Sequence, residues 1–359
     1  MTLAAWFHTL SPYLFKNNWV PLRWYGISYA LGFLLGWMLL KFLCRRRACL
    51  IPLERVGDAV LIAVMGVVIG GRLGYVVFYE PKLLWTFSDS APWWGLFAIN
   101  RGGMASHGGI IGVIIAAFLI ARGFRNPTGE RVGKAPVLHI LDTMAMICPP
   151  GLGLGRVANF INGELLAKIV AEPGKPAPWW AVKFPHEIES PFISQGGHRP
   201  DLTVEQLTQL NQIVEPFRRP GHSFDEAWAR VMERIWSGDT ALARAVEPLI
   251  SARHPSQVYQ AFTDGVVLFS VLWFIARRPR LPGVVGCWFM IVYGVLRIVT
   301  ELYRLPDAQL TDKLIMGLSR GQWLSVGMIL VGVVALPIIL SRGGKKLGGW
   351  YSFTADRPA

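Results

Sequence analysis

The stretch "GRVANFINGE", Gly155 to Glu164, closes an otherwise apolar run and places Arg156, Asn159, Asn162 and Glu164 within three helical turns. An Arg, Glu or Asp deep in a bilayer span costs on the order of 2.5 to 3.5 kcal/mol on insertion scales. What tolerates this polarity is therefore the question that decides the fold and points to the function.

The surroundings are those of a membrane protein. Of 359 residues, 52% are hydrophobic and 16% charged, with 15 Trp and a mean hydropathy of +0.38. A soluble chain of this size would be about a quarter charged. Apolar windows of roughly 20 residues, the length that crosses a bilayer, fall at about Trp24 to Leu43, Asp58 to Tyr79, Met104 to Ala121, Val137 to Phe160, Val258 to Ala276, Val284 to Leu302 and Trp323 to Leu340. The reading is an all-α fold: a polytopic integral membrane protein with seven transmembrane helices and an extracytoplasmic subdomain. Basic clusters follow the first span (Arg45, Arg46, Arg47), the third (Arg122, Arg125, Arg131, Lys134), the fifth (Arg277, Arg278, Arg280) and the seventh (Arg342, Lys345, Lys346). The positive-inside rule makes these loops cytoplasmic, the N-terminus external and the C-terminus internal. It also accounts for much of the formal charge of +13 without nucleic acid.

The remaining loops then face outward. Pro81 to Asn100 carries Trp85, Trp93 and Trp94, suited to the headgroup level. Leu165 to Arg253 is a larger polar insert with helix-like stretches at Asp201 to Phe217, Asp225 to Trp236 and Thr240 to Ser251. The chain thus divides into membrane residues 1–164, an extracytoplasmic insert 165–253, membrane residues 254–341 and a cytoplasmic tail 342–359. No secretory signal pattern opens it, so the first span is expected to be retained. Cys44, Cys49, Cys148 and Cys287 all lie outside the insert and lack zinc-finger spacing, which argues against an exported disulfide domain.

Orientation gives each intramembrane polar residue a depth. Tyr25, Arg72 with Tyr75, His107, Arg156 with Asn159, and Tyr293, Arg297 and Glu301 fall in the outer parts of five spans. The last three recur at i, i+4 and i+8 on one helix face. Taken singly, an arginine near a helix end snorkels, a histidine there caps, and Arg297 with Glu301 forms a structural pair. Together they describe a shared, partly wet site. "GGMASHGGIIG", Gly102 to Gly112, permits close backbone approach there or simple helix packing. Arginines without an acidic cluster favour an anion such as phosphate, and at the outer face the abundant phosphate is a lipid headgroup.

"GRVANFINGE" resembles the signature of the bacterial prolipoprotein diacylglyceryl transferase family. "RWYG" (Arg23 to Gly26), "GGRLGYVVFY" (Gly70 to Tyr79), "SHGGIIG" (Ser106 to Gly112), "HPSQVYQA" (His254 to Ala261), "YGVLRIVTELYRLPD" (Tyr293 to Asp307) and "GQWLS" (Gly321 to Ser325) resemble its other blocks in order. Two positions depart from it: Ala167 stands where the signature closes with Gly, and Gln260 where a Glu usually follows the Tyr. The insert also looks longer than usual. The resemblance implies transfer of diacylglyceryl from phosphatidylglycerol to the lipobox cysteine of a prolipoprotein signal peptide, giving a thioether and glycerol phosphate at the bacterial inner membrane.

On this reading Arg156 and Arg297 stabilise the leaving phosphate, and His107 is the candidate base for the substrate thiol. Tyr25, Arg72, Asn159, Asn162, Glu164, Tyr293 and Glu301 bind or orient substrate. No cofactor or metal is implied. The partners are phosphatidylglycerol, prolipoprotein signal peptides and membrane lipids, with other lipoprotein-processing enzymes as a pathway inference. An anion or lipid transporter and a membrane scaffold stay open. A transporter would carry polar groups through the cytoplasmic half as well, and a scaffold would turn over no lipid.

Overall fold

The computed structural model describes residues 5–16, 22–89, 91–98, 102–189, 200–305 and 318–351. Asn100, residues 190–199 of the insert, Pro306 with Asp307 of the quoted blocks, and residues 352–359 of the tail lie outside the described residues.

Long apolar runs become helices, several with glycine or proline inside them. These are α1 Trp24–Arg45, α2 Val56–Phe78, α3 Ser106–Ala121, α4 Val137–Ile147 and α5 Pro149–Ile161. The insert supplies α6 Val204–Val214, α7 Phe224–Trp236 and α8 Thr240–Val246. Then α9 Ser256–Gln260 runs through a π-helix, Ala261–Val267, into α10 Leu268–Ile275, followed by α11 Val284–Glu301 and α12 Arg320–Arg342. Five spans are long and apolar enough to cross a membrane, six if α4 and α5 count as one. These two helices meet at a 41° bend. Pro149 stands at the bend, where its ring leaves the helical ladder one amide donor short.

The seven expected windows thus reappear as five unbroken spans, one bent pair and the short α3. With 16 residues, α3 is about 24 Å long, less than the roughly 30 Å of a bilayer core.

The fold is not purely helical. Eight short strands occur among the described residues: β1 Trp6–Phe7, β2 Tyr13–Phe15, β3 Leu22–Arg23, β4 Phe124–Arg125, β5 Arg131–Val132, β6 Ile169–Ala171, β7 Val182–Lys183 and β8 Ala252–Arg253. Four of them make a sheet in the order β1-β7-β8-β6, with β1 parallel to β7 and the other pairs antiparallel. Strands of two or three residues carry too little alternation to be read from sequence.

The chain forms two compact units. One comprises Met1–Leu31, Gly151–Leu268 and Ile291–Leu330, and the other Gly32–Pro150, Phe269–Met290 and Val331–Ala359. In the first, α6, α7 and α8 enclose a core around Trp228, Val231, Met232, Val214, Val246 and Leu249. Capping boxes start α6 (Thr203 with Gln206) and α7 (Ser223 with Glu226), satisfying amides that helix ends leave bare. A fully buried ion pair ties the sheet to this core: Arg253 Nη2 lies 2.7 Å from Glu187 Oε2. In the second unit α2 packs on α3 through glycines. A Cβ on Gly74 would come within 2.7 Å of the Gly108 Cα, so only glycine permits this approach. There the Asp142 carboxylate accepts from the amides of Gly283 and Gly286, each at 2.7 Å, and so caps the start of α11.

Candidate active site

The signature builds a polar cluster at the end of α5. Asn159 Nδ2 donates to Tyr25 Oη at 2.9 Å and to Glu164 Oε2 at 3.1 Å, and Asn162 Nδ2 donates to Glu164 Oε1 at 3.1 Å. Because the tyrosine oxygen accepts here, its own O–H is left to donate elsewhere. Tyr29 packs on Tyr25, ring centroids 5.6 Å apart. The span that begins at Ser256 braces the following turn, where Gln257 Nε2 donates to the carbonyls of Glu164 and Leu165.

Arg156 extends from the same helix toward a residue of the π-helix. Its Nε lies 3.4 Å from Oδ2 of Asp264, whose side chain is wholly buried. Contact between glycines makes this short bridge attainable, since a Cβ on Gly153 would meet the Gly265 Cα at 2.8 Å. A π-helix inserts one residue into the helical ladder and is a frequent mark of functional positions. With Nε engaged, neither terminal nitrogen of Arg156 forms a hydrogen bond among the described residues, and neither is sealed from solvent.

Arg297 faces a carboxylate on its own helix, α11. Its Nη2 lies 3.6 Å from Glu301 Oε2, and Arg304 Nη1 reaches the same oxygen at 3.9 Å. Its Nη1 is buried with no hydrogen-bond partner among the described residues. Helix α12 lies tightly beside α11, because a Cβ on Gly294 would meet the Ser325 carbonyl at 2.9 Å.

The sequence model of the family described as prolipoprotein diacylglyceryl transferase matches residues 12–338. The chain belongs to that family. A phosphatidylglycerol–prolipoprotein diacylglyceryl transferase of Bdellovibrio bacteriovorus is 39% identical over 353 residues, 96% of each chain. Proteins of the same name from Neisseria gonorrhoeae and Chromobacterium violaceum are 34% and 33% identical, covering 91% and 92% of this chain and 95% and 94% of theirs.

For this family member the structure brings Tyr25, Asn159, Asn162 and Glu164 into one hydrogen-bonded group, and pairs Arg297 with Glu301. Tyr293 is half-buried on α11, one turn before Arg297. Arg72 and His107 belong to the other compact unit. Arg72 is buried and spends its guanidinium on backbone: Nε on Leu96 O at 2.8 Å, Nη1 on Gly102 O and Gly103 O at 2.8 and 2.9 Å, and Nη2 on Gly95 O. His107 is exposed in the first turn of α3, its ring 6.4 Å from that of Tyr79.

Sequence reasoning passed over Asp264, Gln257, Tyr29 and Arg304. The signal for Asp264 was available: it is the lone acid of the Val258 to Ala276 window, and the insertion cost applied to the arginines applies equally to it. Beside the site, His254 meets Trp180, Tyr259 and Tyr303, with ring centroids 5.1, 6.1 and 5.1 Å away. Burial, with nearby Lys168, holds its imidazole below the ordinary value.

Proposed function

We propose that this chain carries out the transfer for which its relatives are named, moving the diacylglyceryl group of phosphatidylglycerol onto the cysteine thiol of a prolipoprotein. The substrate sulfur attacks the glycerol carbon that bears the phosphate. The carbon–oxygen bond breaks, its electron pair stays on the phosphate oxygen, and glycerol phosphate leaves as the thioether forms. The observation that carries this reading is the paired state of Arg156 and Arg297. Each faces a buried carboxylate, Arg156 through a hydrogen bond at 3.4 Å and Arg297 as an ion pair at 3.6 Å, and each keeps other donors unbonded among the described residues. Fixed guanidiniums stabilise charge growing on the leaving phosphate without reorganising.

Asp264 and Glu301 orient these arginines. Asn159, Asn162, Glu164, Tyr25 and Tyr293 bind the headgroup, and Arg72 fixes the loop preceding α3. A thiol of pKa about 8.5 is only a few per cent ionised at neutral pH, and His107 is the base that takes its proton. Full turnover by His107→Gln would remove that role. Both substrates reach the site from the outer leaflet of the inner membrane. The N-terminus and residues 165–253 are external, the basic loops cytoplasmic, and α3 completes seven spans. Residues 1–164 and 254–341 form the membrane part, and residues 342–359 a cytoplasmic tail.

The test is mass spectrometry of a lipobox peptide incubated with purified protein and phosphatidylglycerol. A diacylglyceryl mass gain on cysteine, lost with Arg297→Ala, is expected. No gain despite lipid binding would overturn the reading in favour of transport or scaffolding.

A further inference from the structure

Glu164 sits in a turn the backbone adopts against its preferences. Gly163 has φ of 67°, and Leu165, which carries a side chain, has φ of 57°. The left-handed region is disfavoured for such a residue, and strain of this kind gathers at functional sites. Gly163 also has no room for a side chain, because the His186 imidazole occupies the place a Cβ would take.

Two amides hold this turn. Asn162 Nδ2 donates to Glu164 Oε1, and Gln257 Nε2 to the carbonyls of Glu164 and Leu165. The carboxylate and the two carbonyls can only accept, so the amide nitrogens must face them and neither amide can be flipped. Each amide's own oxygen is thereby turned elsewhere. Asn162 Oδ1 and Gln257 Oε1 are both buried without a hydrogen-bond partner among the described residues. The residues themselves are 9% and 0% exposed. Buried acceptors are almost always satisfied in folded proteins, so two of them flanking one strained turn await donors that the described residues do not supply.

We infer that the turn 162–165, with Gln257, is a hydroxyl-recognition subsite whose donors are the two hydroxyls of the glycerol headgroup. This rests on the transfer reading above, and it adds how the headgroup is read. Asn159 couples the subsite to the arginines: it lies one turn from Arg156 on α5 and bonds the other oxygen of Glu164. A phosphate on the open nitrogens of Arg156 then carries its glycerol toward Glu164, and the acceptors fix the headgroup while the phosphate departs.

The test compares phosphatidylglycerol with phosphatidylpropanol, which keeps the anionic phosphate and lacks both headgroup hydroxyls. Thioether formation on a lipobox peptide is measured with the full chain in mixed micelles. Wild type is expected to show kcat/KM at least about tenfold lower for the deoxy lipid, in line with a buried polar site rejecting an analogue that leaves it unpaired. Gln257→Leu and Asn162→Ala should collapse that ratio toward one, whereas a merely structural loss lowers both lipids alike and preserves it. Equal use of both lipids by wild type, or an unchanged ratio in folded variants, overturns the subsite and leaves the transfer reading standing. Absence of product from either lipid overturns both.

Discussion

Arg253 and Arg156 lie in the same compact unit, and each faces a fully buried carboxylate, yet their guanidiniums are used in opposite ways. Arg253 gives Nε and Nη2 to Glu187 at 2.8 and 2.7 Å and Nη1 to the Ala167 carbonyl at 2.9 Å. Arg156 touches Asp264 through Nε alone, at the looser 3.4 Å. Arg72 follows Arg253, with carbonyls replacing the carboxylate, and Arg297 follows Arg156. An arginine whose fork is consumed by the fold is a fastener. One held by a single edge is pre-aimed and still has donors to offer.

The largest effect is expected where the fork is consumed. Arg253→Met leaves Glu187 charged, buried and unpaired, and breaking a buried pair in this way costs about 3 to 5 kcal/mol. Denaturant titration followed by tryptophan fluorescence should show the insert unfolding early, since Trp228 and Trp236 report on its helices. A transition unmoved from wild type would mean the closed pair contributes little.

Next come the open arginines. Arg156→Ala and Arg297→Ala should each lower turnover by about 100- to 1000-fold, the usual loss for one donor to a developing oxyanion, with a smaller loss of stability than Arg253→Met, since each removes a single, looser contact to its carboxylate. If Arg156→Ala instead unfolds the protein as Arg253→Met does, the distinction between the two kinds of arginine is wrong.

Asp264 separates aiming from binding. Asp264→Ala should lower turnover by about 10- to 100-fold, because a misplaced catalytic group costs on that order, and Asp264→Glu should recover part of it. In an Arg156→Ala background the same change should cost nothing further, since residues acting as one unit are not additive. Additive losses would assign Asp264 a role of its own.

This contrast was only half readable in the sequence. The windows located every long apolar helix, because a bilayer demands roughly 20 apolar residues wherever they fall. The insert helices emerged near their observed bounds, because Thr203, Ser223 and Asp239 stand where side-chain caps are needed. Depth drew Tyr25 and Asn159 together, the spacing of the quoted stretch added Asn162 and Glu164, and the four are joined by hydrogen bonds. Depth could not reveal which donors each arginine has already spent. Arg72 and Arg297 are each the lone cation of an apolar run, and the carbonyls of Gly95, Leu96, Gly102 and Gly103 show that the donors of Arg72 are spent. Those carbonyls come from a loop with no periodicity to read, and the strands of two or three residues were hidden for the same reason.

The smallest expected effect concerns pH and falls on the closed side of the comparison. His8 is fully buried, its Nε2 bonded to the Phe160 carbonyl at 2.8 Å, and its ring lies 6.0 Å from that of His186. A carbonyl accepts only from Nε2–H, so Nδ1 of His8 carries no proton, and it is buried with no hydrogen-bond partner among the described residues, as is Nδ1 of His186. Burial pushes both imidazoles from 6.5 down to about 4, and His186 is lowered further by His8. Above pH 6.5 the folded and unfolded chains are both neutral at these positions, and the insert keeps its full stability. As pH falls from 6.5 toward 4 the unfolded chain takes up protons that the folded one refuses. Stability is then lost by on the order of 1 kcal/mol per histidine at pH 5.5. Denaturant midpoints of the insert at pH 7.5 and pH 5.5 should differ accordingly, and His8→Gln, whose amide can still donate to Phe160, should remove about half the difference. A midpoint flat across that window would mean that protons reach these imidazoles in the folded chain, and that their surroundings are less closed than those of Arg253.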